Sequence, residues 1–165
     1  MGKVYVLKQA ELVNQVVRHP VHWLAFGFGS GLMPFAPGTW GSLPAIALWW
    51  VLPKDPALQI AIALIAFAVG IWICGESARR IGVHDHSGIV WDEIVGMYLV
   101  LIVTPPEPLW ILAAFGLFRL FDIWKPWPIR DLDHRLHGGL GIMLDDVVAA
   151  LYAALILVFI DKLIF

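Results

Sequence analysis

Apolar blocks separated by glycine, proline and charged residues divide most of the chain. The longest uninterrupted apolar run, residues 57–74, has the length of a membrane-spanning helix. Leucine and valine recur at helical spacing between positions 6 and 17, which predicts an amphipathic segment within residues 1–20. The other apolar blocks cover residues 43–52, 89–104, 109–124 and 147–160. This pattern predicts an all-α fold, a compact multi-helix bundle integral to a membrane.

Composition supports the same prediction. Of the 165 residues 60% are hydrophobic and 15% charged, whereas soluble domains average about 45–50% apolar and about 25% charged residues. The length fits a single domain over residues 1–165. The net charge of −2 provides no basic field, so we expect no nucleic-acid partner. A single cysteine excludes an internal disulfide and a cysteine-rich zinc site.

Charged residues between the blocks predict a topology. If residues 57–74 span a membrane, Lys54 lies on one side and Arg79 and Arg80 lie on the other. The later connections add Lys125, Arg130 and Arg135 to the side of Arg79. That side is cytoplasmic by the positive-inside rule. Alternating crossings then bring the acidic residues to the cytoplasmic face, which predicts a multi-pass protein with its site facing the cytoplasm.

Five carboxylates lie in or beside three apolar blocks: Asp92, Glu93, Asp122, Asp145 and Asp146. Charges in such positions are costly and usually functional. They repel one another unless cations lie between them, and Arg119 and Lys125 are the nearby basic residues. Because Arg119, Asp122 and Lys125 are spaced three apart, we expect them to share a helix face. Ion pairs within that helix would explain Asp122 but not the two adjacent acid pairs.

A hard divalent cation would explain those pairs, because Mg²⁺ takes oxygen ligands and is typically held by one or two carboxylates plus phosphate. Basic residues nearby would bind phosphate oxygens. These parts suit metal-assisted phosphoryl transfer. Ion-coupled transporters also bury carboxylates, so that alternative stays open.

Two polar loops contain further candidates. His84 and His86 precede Asp92, and a histidine there can protonate a leaving alkoxide or remain a solvated loop residue. The glycine-rich stretch at residues 27–42 is expected to be irregular backbone. Its Ser30 and Thr39 hydroxyls would contact a phosphate. The alternative is that the stretch is only a membrane-buried turn.

A cysteine-phosphatase mechanism is disfavoured. Cys74 and Arg80 match the letter pattern C-x5-R, but Cys74 ends an apolar helix, so no helix N-terminus would lower its pKa.

Several stretches together carry a family resemblance: residues 26–32, 37–39, 82–86, 89–93, 121–130, 137–139, 141–143 and 145–146. In this order, from about residue 22 to residue 160, they resemble the phosphatidylglycerophosphatase A family of bacterial lipid phosphatases. The resemblance implies removal of the terminal phosphate from phosphatidylglycerophosphate, giving phosphatidylglycerol and inorganic phosphate in phospholipid biosynthesis. It also implies a Mg²⁺ requirement and helices packed around a buried one at the bacterial inner membrane, among membrane lipids.

On this basis we expect in-line attack by metal-activated water. The expected metal ligands are Asp92, Glu93, Asp122, Asp145 and Asp146, with Asp122 alternatively orienting Lys125. The expected phosphate contacts are Lys125, Arg119 and Arg130, and the expected proton donor is His84 or His86. A phospho-aspartate intermediate is the chemical alternative, although the D-x-D-x-[TV] signature is absent.

Two other classes of protein also use carboxylates in membrane helices and are alternatives to this function. One is an ion-coupled membrane transporter subunit that uses the same carboxylates. The other is a CDP-alcohol phosphotransferase, whose D-G-x-x-A-R motif is missing from the sequence. The sequence leaves the oligomeric state open.

Overall fold

The computed structural model describes residues 9–83, 86–131, 136 and 138–164, and all regular structure in these ranges is helical. The all-α prediction is therefore confirmed. Besides a short helical turn at residues 129–131, seven α-helices and one 3-10 helix (Gly27–Leu32) follow one another in this part of the chain. The α-helices are α1 (Gln9–Arg18), α2 (Pro20–Ala25), α3 (Pro37–Val51), α4 (Pro56–Ile81), α5 (Trp91–Ile102), α6 (Pro108–Trp124) and α7 (Gly139–Ile164).

Helix α5 forms the centre of the bundle. Eight of its twelve residues are buried, and it packs against α3, α4, α6 and α7. Gly96 permits close packing of α5 on α6 and α7, because an added Cβ would lie 2.7 Å from the Phe118 ring and 3.2 Å from the Asp146 carbonyl oxygen. The prediction that the helices surround a buried acidic helix is confirmed.

Two cavities mark the two ends of the bundle. One is lined by Gly38 at the start of α3, Ile89 before α5, Lys125 after α6 and Gly141 near the start of α7. The other is lined by residues of the α3–α4 and α5–α6 connections, among them Lys54 and Thr104. We call these the site end and the far end. The helices thus alternate in direction and bring the acidic ends of α5, α6 and α7 together.

The outer surface of the bundle is strongly apolar. Leu64 and Ile65 of α4 and Leu155 and Phe159 of α7 are each about two-thirds exposed. Helices α4 and α7 are also long and apolar enough to cross a membrane. Soluble monomers rarely expose contiguous apolar surface on this scale, so the surface and the two long helices indicate a membrane-associated protein.

Three helix boundaries differ from the apolar blocks in the sequence. Helix α3 begins at Pro37 with proline in its first turn, so the expected irregular stretch ends earlier. Helix α4 continues to Ile81, where Gly82 ends it with a φ of 78°. Helix α7 begins at Gly139 rather than beside Asp145. The apolar blocks mark only the apolar part of each helix. The first and last turns, which contain prolines, glycines and polar residues, lie outside the blocks.

Candidate active site

A cavity of about 250 Å³ opens at the site end, between the first turn of α3, the start of α5, the end of α6 and the second turn of α7. All five predicted carboxylates and two predicted phosphate-binding residues line it. These are Asp92, Glu93, Asp122, Asp145, Asp146, Arg119 and Lys125.

The two adjacent acid pairs are held by the same local contact. The Asp92 Oδ1 atom accepts a hydrogen bond from the Glu93 amide at 3.1 Å, and Asp145 Oδ1 accepts one from the Asp146 amide at 3.0 Å. Asp92 and Glu93 also lie in the first turn of α5, where the helix dipole favours negative charge. Asp145 and Asp146 lie in the second turn of α7 and lack that advantage.

Three carboxylates from two helices converge. Ligand oxygens of Asp92, Glu93 and Asp146 all lie within 4.8 Å of one another. Among the described residues, the buried Glu93 Oε2 and Asp146 Oδ2 atoms have no hydrogen-bond partner. Unpaired buried carboxylate oxygens are costly, and a set of close carboxylate oxygens is what a hard divalent cation requires. The residues therefore fit Mg²⁺.

The two basic side chains in the cavity are each paired with an acid. Arg119 Nη1 lies 2.6 Å from Asp122 Oδ2 within α6 and 3.9 Å from Glu93 Oε1 of α5. Lys125 Nζ lies 2.6 Å from Asp145 Oδ2 of α7. The expectation that Lys125 shares a helix face with Asp122 is wrong. Helix α6 ends at Trp124, and Lys125 adopts a left-handed conformation (φ 45°) that directs it toward α7.

The lining of the cavity is unbalanced in charge. Its described residues include five carboxylates and only two cationic side chains. In a site of low dielectric, such an excess of negative charge requires bound protons or an additional cation. Like the unpaired carboxylate oxygens, this imbalance of charge indicates that the cavity is suited to a bound cation.

Gly38 is a site residue that the reasoning from chemistry missed. A Cβ at this position would lie 2.9 Å from both Arg119 Nη1 and Nη2 and would overlap the Glu93 carboxylate. The absence of a side chain lets the first turn of α3 pack directly on the Arg119–Glu93 pair. The only signal in the sequence was the Pro-Gly-Thr stretch of the family resemblance, which does not indicate a contact with α5 or α6.

Four other predicted site residues are not among the residues that line the cavity: Ser30, Thr39, Arg130 and His86. The Ser30 hydroxyl donates to the Gly27 carbonyl at 2.8 Å, and His86 Nδ1 accepts the Gly88 amide at 3.0 Å. Thr39 belongs to the first turn of α3. His84 lies outside the described residues, as does Arg135 of the predicted cytoplasmic side.

Cys74 lies in the core of the bundle next to Asp92, but it is not among the residues that line this cavity. It is fully buried, and its Sγ lies 3.9 Å from Met143 Sδ. This placement agrees with the exclusion of a cysteine-phosphatase mechanism.

An acid-lined cavity with arginine and lysine, at one end of an apolar helical bundle, defines a membrane-associated protein equipped for phosphate chemistry. The family model of phosphatidylglycerophosphatase A matches residues 23–161. The chain belongs to the phosphatidylglycerophosphatase A family. The predictions of this family and of a lipid phosphatase are confirmed.

Individual relatives of the chain agree with this family assignment. The chain is 47% identical over 144 residues to Phosphatidylglycerophosphatase A of Escherichia coli K12, covering 86% of this chain and 84% of the relative. It is 48% identical over 153 residues to Phosphatidylglycerophosphatase A of Haemophilus influenzae, covering 91% of each. A Bacteroides thetaiotaomicron relative, provisionally named as a phosphatidylinositol-3-phosphatase, is 41% identical over 140 residues, covering 79% of this chain and 87% of the relative. No solved structure gave a significant match.

Proposed function

We propose that the chain hydrolyses the terminal phosphate ester of phosphatidylglycerophosphate with the help of Mg²⁺, producing phosphatidylglycerol and inorganic phosphate. The observation that carries the proposal is the convergence of Asp92, Glu93 and Asp146 within 4.8 Å, in a cavity that Arg119 and Lys125 also line. Two relatives that each cover more than four-fifths of the chain are named for this activity.

Asp92, Glu93 and Asp146 would hold the Mg²⁺ ion. When bound, the ion would supply Lewis-acid polarisation of the phosphate and lower the pKa of a water molecule. Arg119 and Lys125 would neutralise the other phosphate oxygens.

Asp122 and Asp145 orient these two cations through ion pairs of 2.6 Å. Water oxygen attacks phosphorus as the bond to the glycerol oxygen breaks, and the departing oxygen takes up a proton. Nearby carboxylates in the cavity can accept the proton that the water releases. His84 and His86 remain the predicted donors to the leaving oxygen.

The proposal includes a multi-pass orientation in the bacterial inner membrane with the site facing the cytoplasm. Phe35 and Trp127, both more than three-quarters exposed, lie close to the site end in sequence and suit the membrane–water interface. Arg79 and Arg80 in the last turn of α4 lie before the site-end loop that leads to α5. Positive residues at this end favour a cytoplasmic location.

The primary experiment measures phosphate release from phosphatidylglycerophosphate in detergent micelles. We expect release with Mg²⁺, loss of release with EDTA and recovery when Mg²⁺ is restored. Release that persists in EDTA would contradict the metal and favour a phospho-aspartate route. No release in either condition would contradict the reaction, and ion flux in vesicles would then test the transporter alternative.

Metal binding is measured separately by titration calorimetry. Glu93→Gln should lose most of the Mg²⁺ binding of the wild-type protein. Glu107→Gln is the matched control, because Glu107 is exposed and precedes α6 at the far end. Equal binding by both variants would contradict the assignment of Glu93.

Head-group selectivity requires its own comparison, because the Bacteroides relative carries a different substrate in its name. Phosphatidylglycerophosphate and phosphatidylinositol 3-phosphate with identical acyl chains should be hydrolysed in parallel assays. We expect a higher kcat/KM for phosphatidylglycerophosphate. The reverse preference would assign the chain to the other lipid.

A further inference from the structure

We propose that one acyl chain of the lipid substrate lies in an apolar groove between α3, α4 and α5, beside the acid-lined cavity. The proposal rests on the function proposed above. The groove has a volume of about 430 Å³. Its walls, which define the α3–α5 groove, are Phe28, Pro44, Ala47, Leu48, Val51, Ile62, Ala63, Ala66, Trp91, Ile94, Val95 and Tyr98.

The chemistry of these walls selects an apolar occupant. Eleven of the twelve lining residues are hydrocarbon or aromatic side chains without a hydroxyl, and the indole nitrogen of Trp91 is already used, donating to the Ala66 carbonyl at 3.0 Å. An ordered water needs two to four polar partners, which such walls do not offer. Sites of this size with mainly apolar walls and few polar groups are typical of small-molecule binding.

Tyr98 supplies a second, independent observation. Its side chain is only 3% exposed, and its hydroxyl has no hydrogen-bond partner among the described residues. A buried hydroxyl without a partner is destabilising. The ester carbonyl that joins an acyl chain to glycerol is an acceptor of the kind this hydroxyl lacks.

Helix α5 connects the groove to the site. Trp91 lines the groove, and the next two residues, Asp92 and Glu93, line the acid cavity. From Glu93 to Tyr98 the helix rises about 7.5 Å. A lipid whose terminal phosphate lies at the acids therefore has its ester and acyl regions available to the groove further along α5.

The open side of the groove is continuous with the apolar exterior. Leu48 and Val51 line the groove and are themselves exposed, Val51 by 79%. An acyl chain can enter laterally from the bilayer and remain in contact with apolar surface throughout.

The test fills the groove from its open side. Ala47 lines the groove and is exposed on α3. The larger side chains of Ala47→Leu and Ala47→Trp therefore occupy part of the groove without entering the core. Ala68→Trp is the matched control, because Ala68 is exposed on α4 and does not line the groove. Each variant is assayed with dipalmitoyl and dihexanoyl phosphatidylglycerophosphate.

The measured quantity is the ratio of kcat/KM for the long-chain substrate to that for the short-chain substrate. We expect Ala47→Trp to lower this ratio about tenfold, which is the lower end of the effect that a single methylene exerts in an apolar pocket. Ala47→Leu should have a smaller effect, and Ala68→Trp none. An unchanged ratio in Ala47→Trp, or an equal fall in Ala68→Trp, would overturn the proposal.

Direct contact is measured by photolabelling with phosphatidylglycerol that carries a diazirine on one acyl chain. We expect labelled peptides from α3 and α5, with less label in Ala47→Leu than in Ala68→Trp. Label confined to the outer faces of α4 and α7, or cross-links showing a second copy of the chain in the groove, would overturn the proposal. Photolabelling does not depend on turnover. If the protein does not hydrolyse phosphatidylglycerophosphate, the proposed function is refuted, but photolabelling still tests whether an acyl chain lies in the groove.

Discussion

The acid-lined cavity and the ion pairs at the end of α4 use the same residue types in different ways. At the end of α4, which we call the α4 cluster, Glu76 contacts Arg79 at 2.8 Å and Arg80 at 2.6 Å. One carboxylate there faces two cations, and the Arg79 side chain is 70% exposed. In the cavity, five carboxylates face two cations in a largely buried site.

The comparison shows that short ion pairs do not by themselves identify a functional site. Both regions contain pairs of 2.6 Å, but exposed pairs contribute little to stability because water and salt screen them. The cavity differs in its excess of acid and in the buried oxygens of Glu93 and Asp146 that lack partners. Breaking each region in turn should therefore affect different properties of the protein.

The largest effect is expected for Asp146→Asn, which keeps the size of the side chain and removes its charge. We expect kcat/KM for phosphatidylglycerophosphate to fall at least about 100-fold, as when one stabilising group is removed from an active site. Asp161→Asn, on the same helix near the far end, is the control and should retain activity. Wild-type activity in Asp146→Asn, measured as phosphate release, would remove this residue from the site.

The sequence predicts the acids that lie at the centre of the candidate site. Asp92 and Glu93 interrupt an apolar block, and charge in such a block has few explanations other than function. Alternating membrane crossings predict that the acids of α5, α6 and α7 lie at one end, and the structure brings all of them to one cavity. The apolar blocks and their alternating direction therefore predict both the all-α fold and the common position of the acids.

The contacts between helices could not be predicted in the same way. The pairing of Lys125 with Asp145 depends on where α6 ends and on a left-handed residue after it. The role of Gly38 depends on the packing of α3 against α5 and α6. Hydroxyls bind phosphate, so the sequence predicts a phosphate contact for Ser30, but in the 3-10 helix its hydroxyl donates to the Gly27 carbonyl instead.

A second prediction concerns the cation that joins α6 to α7. Lys125→Gln leaves Asp145 without its 2.6 Å partner and removes positive charge from the cavity. We expect kcat/KM to fall about 10- to 100-fold, because in the proposed mechanism this charge would stabilise phosphate in the transition state. Arg79→Gln removes a cation from the α4 cluster and serves as the control. An equal loss of kcat/KM in both variants would show a general effect of charge rather than a role for Lys125.

A third prediction tests packing rather than charge. In Gly38→Ala the new methyl group would meet both Arg119 nitrogens at 2.9 Å and displace the Glu93 carboxylate. We expect roughly a tenfold loss of kcat/KM, since small displacements of positioning groups are costly to catalysis. Gly116→Ala is the control, because no atom of the described residues, apart from the adjoining backbone of its own helix, lies within 4 Å of its added Cβ.

For the control variant Gly116→Ala we expect equal or higher stability and unchanged activity. Replacing glycine by alanine within a helix stabilises it by about 0.5–1 kcal/mol, so Gly116→Ala should melt at the same temperature as the wild-type protein or higher and keep its activity. Unchanged kcat/KM in Gly38→Ala would show that α3 does not position the Arg119–Glu93 pair.

The smallest effect is expected for Glu76→Gln in the α4 cluster. It removes the charge that both Arg79 and Arg80 contact, yet these pairs are exposed, and Arg80 also lies 2.9 Å from His19 Nε2. We expect kcat/KM to remain within about twofold of the wild-type value, because exposed ion pairs contribute little even to the stability of the fold. Phosphate release and thermal melting, measured at low and high salt, check this expectation. A loss comparable to that of Asp146→Asn would mean that the α4 cluster belongs to the active site, and the distinction drawn from charge balance would fail.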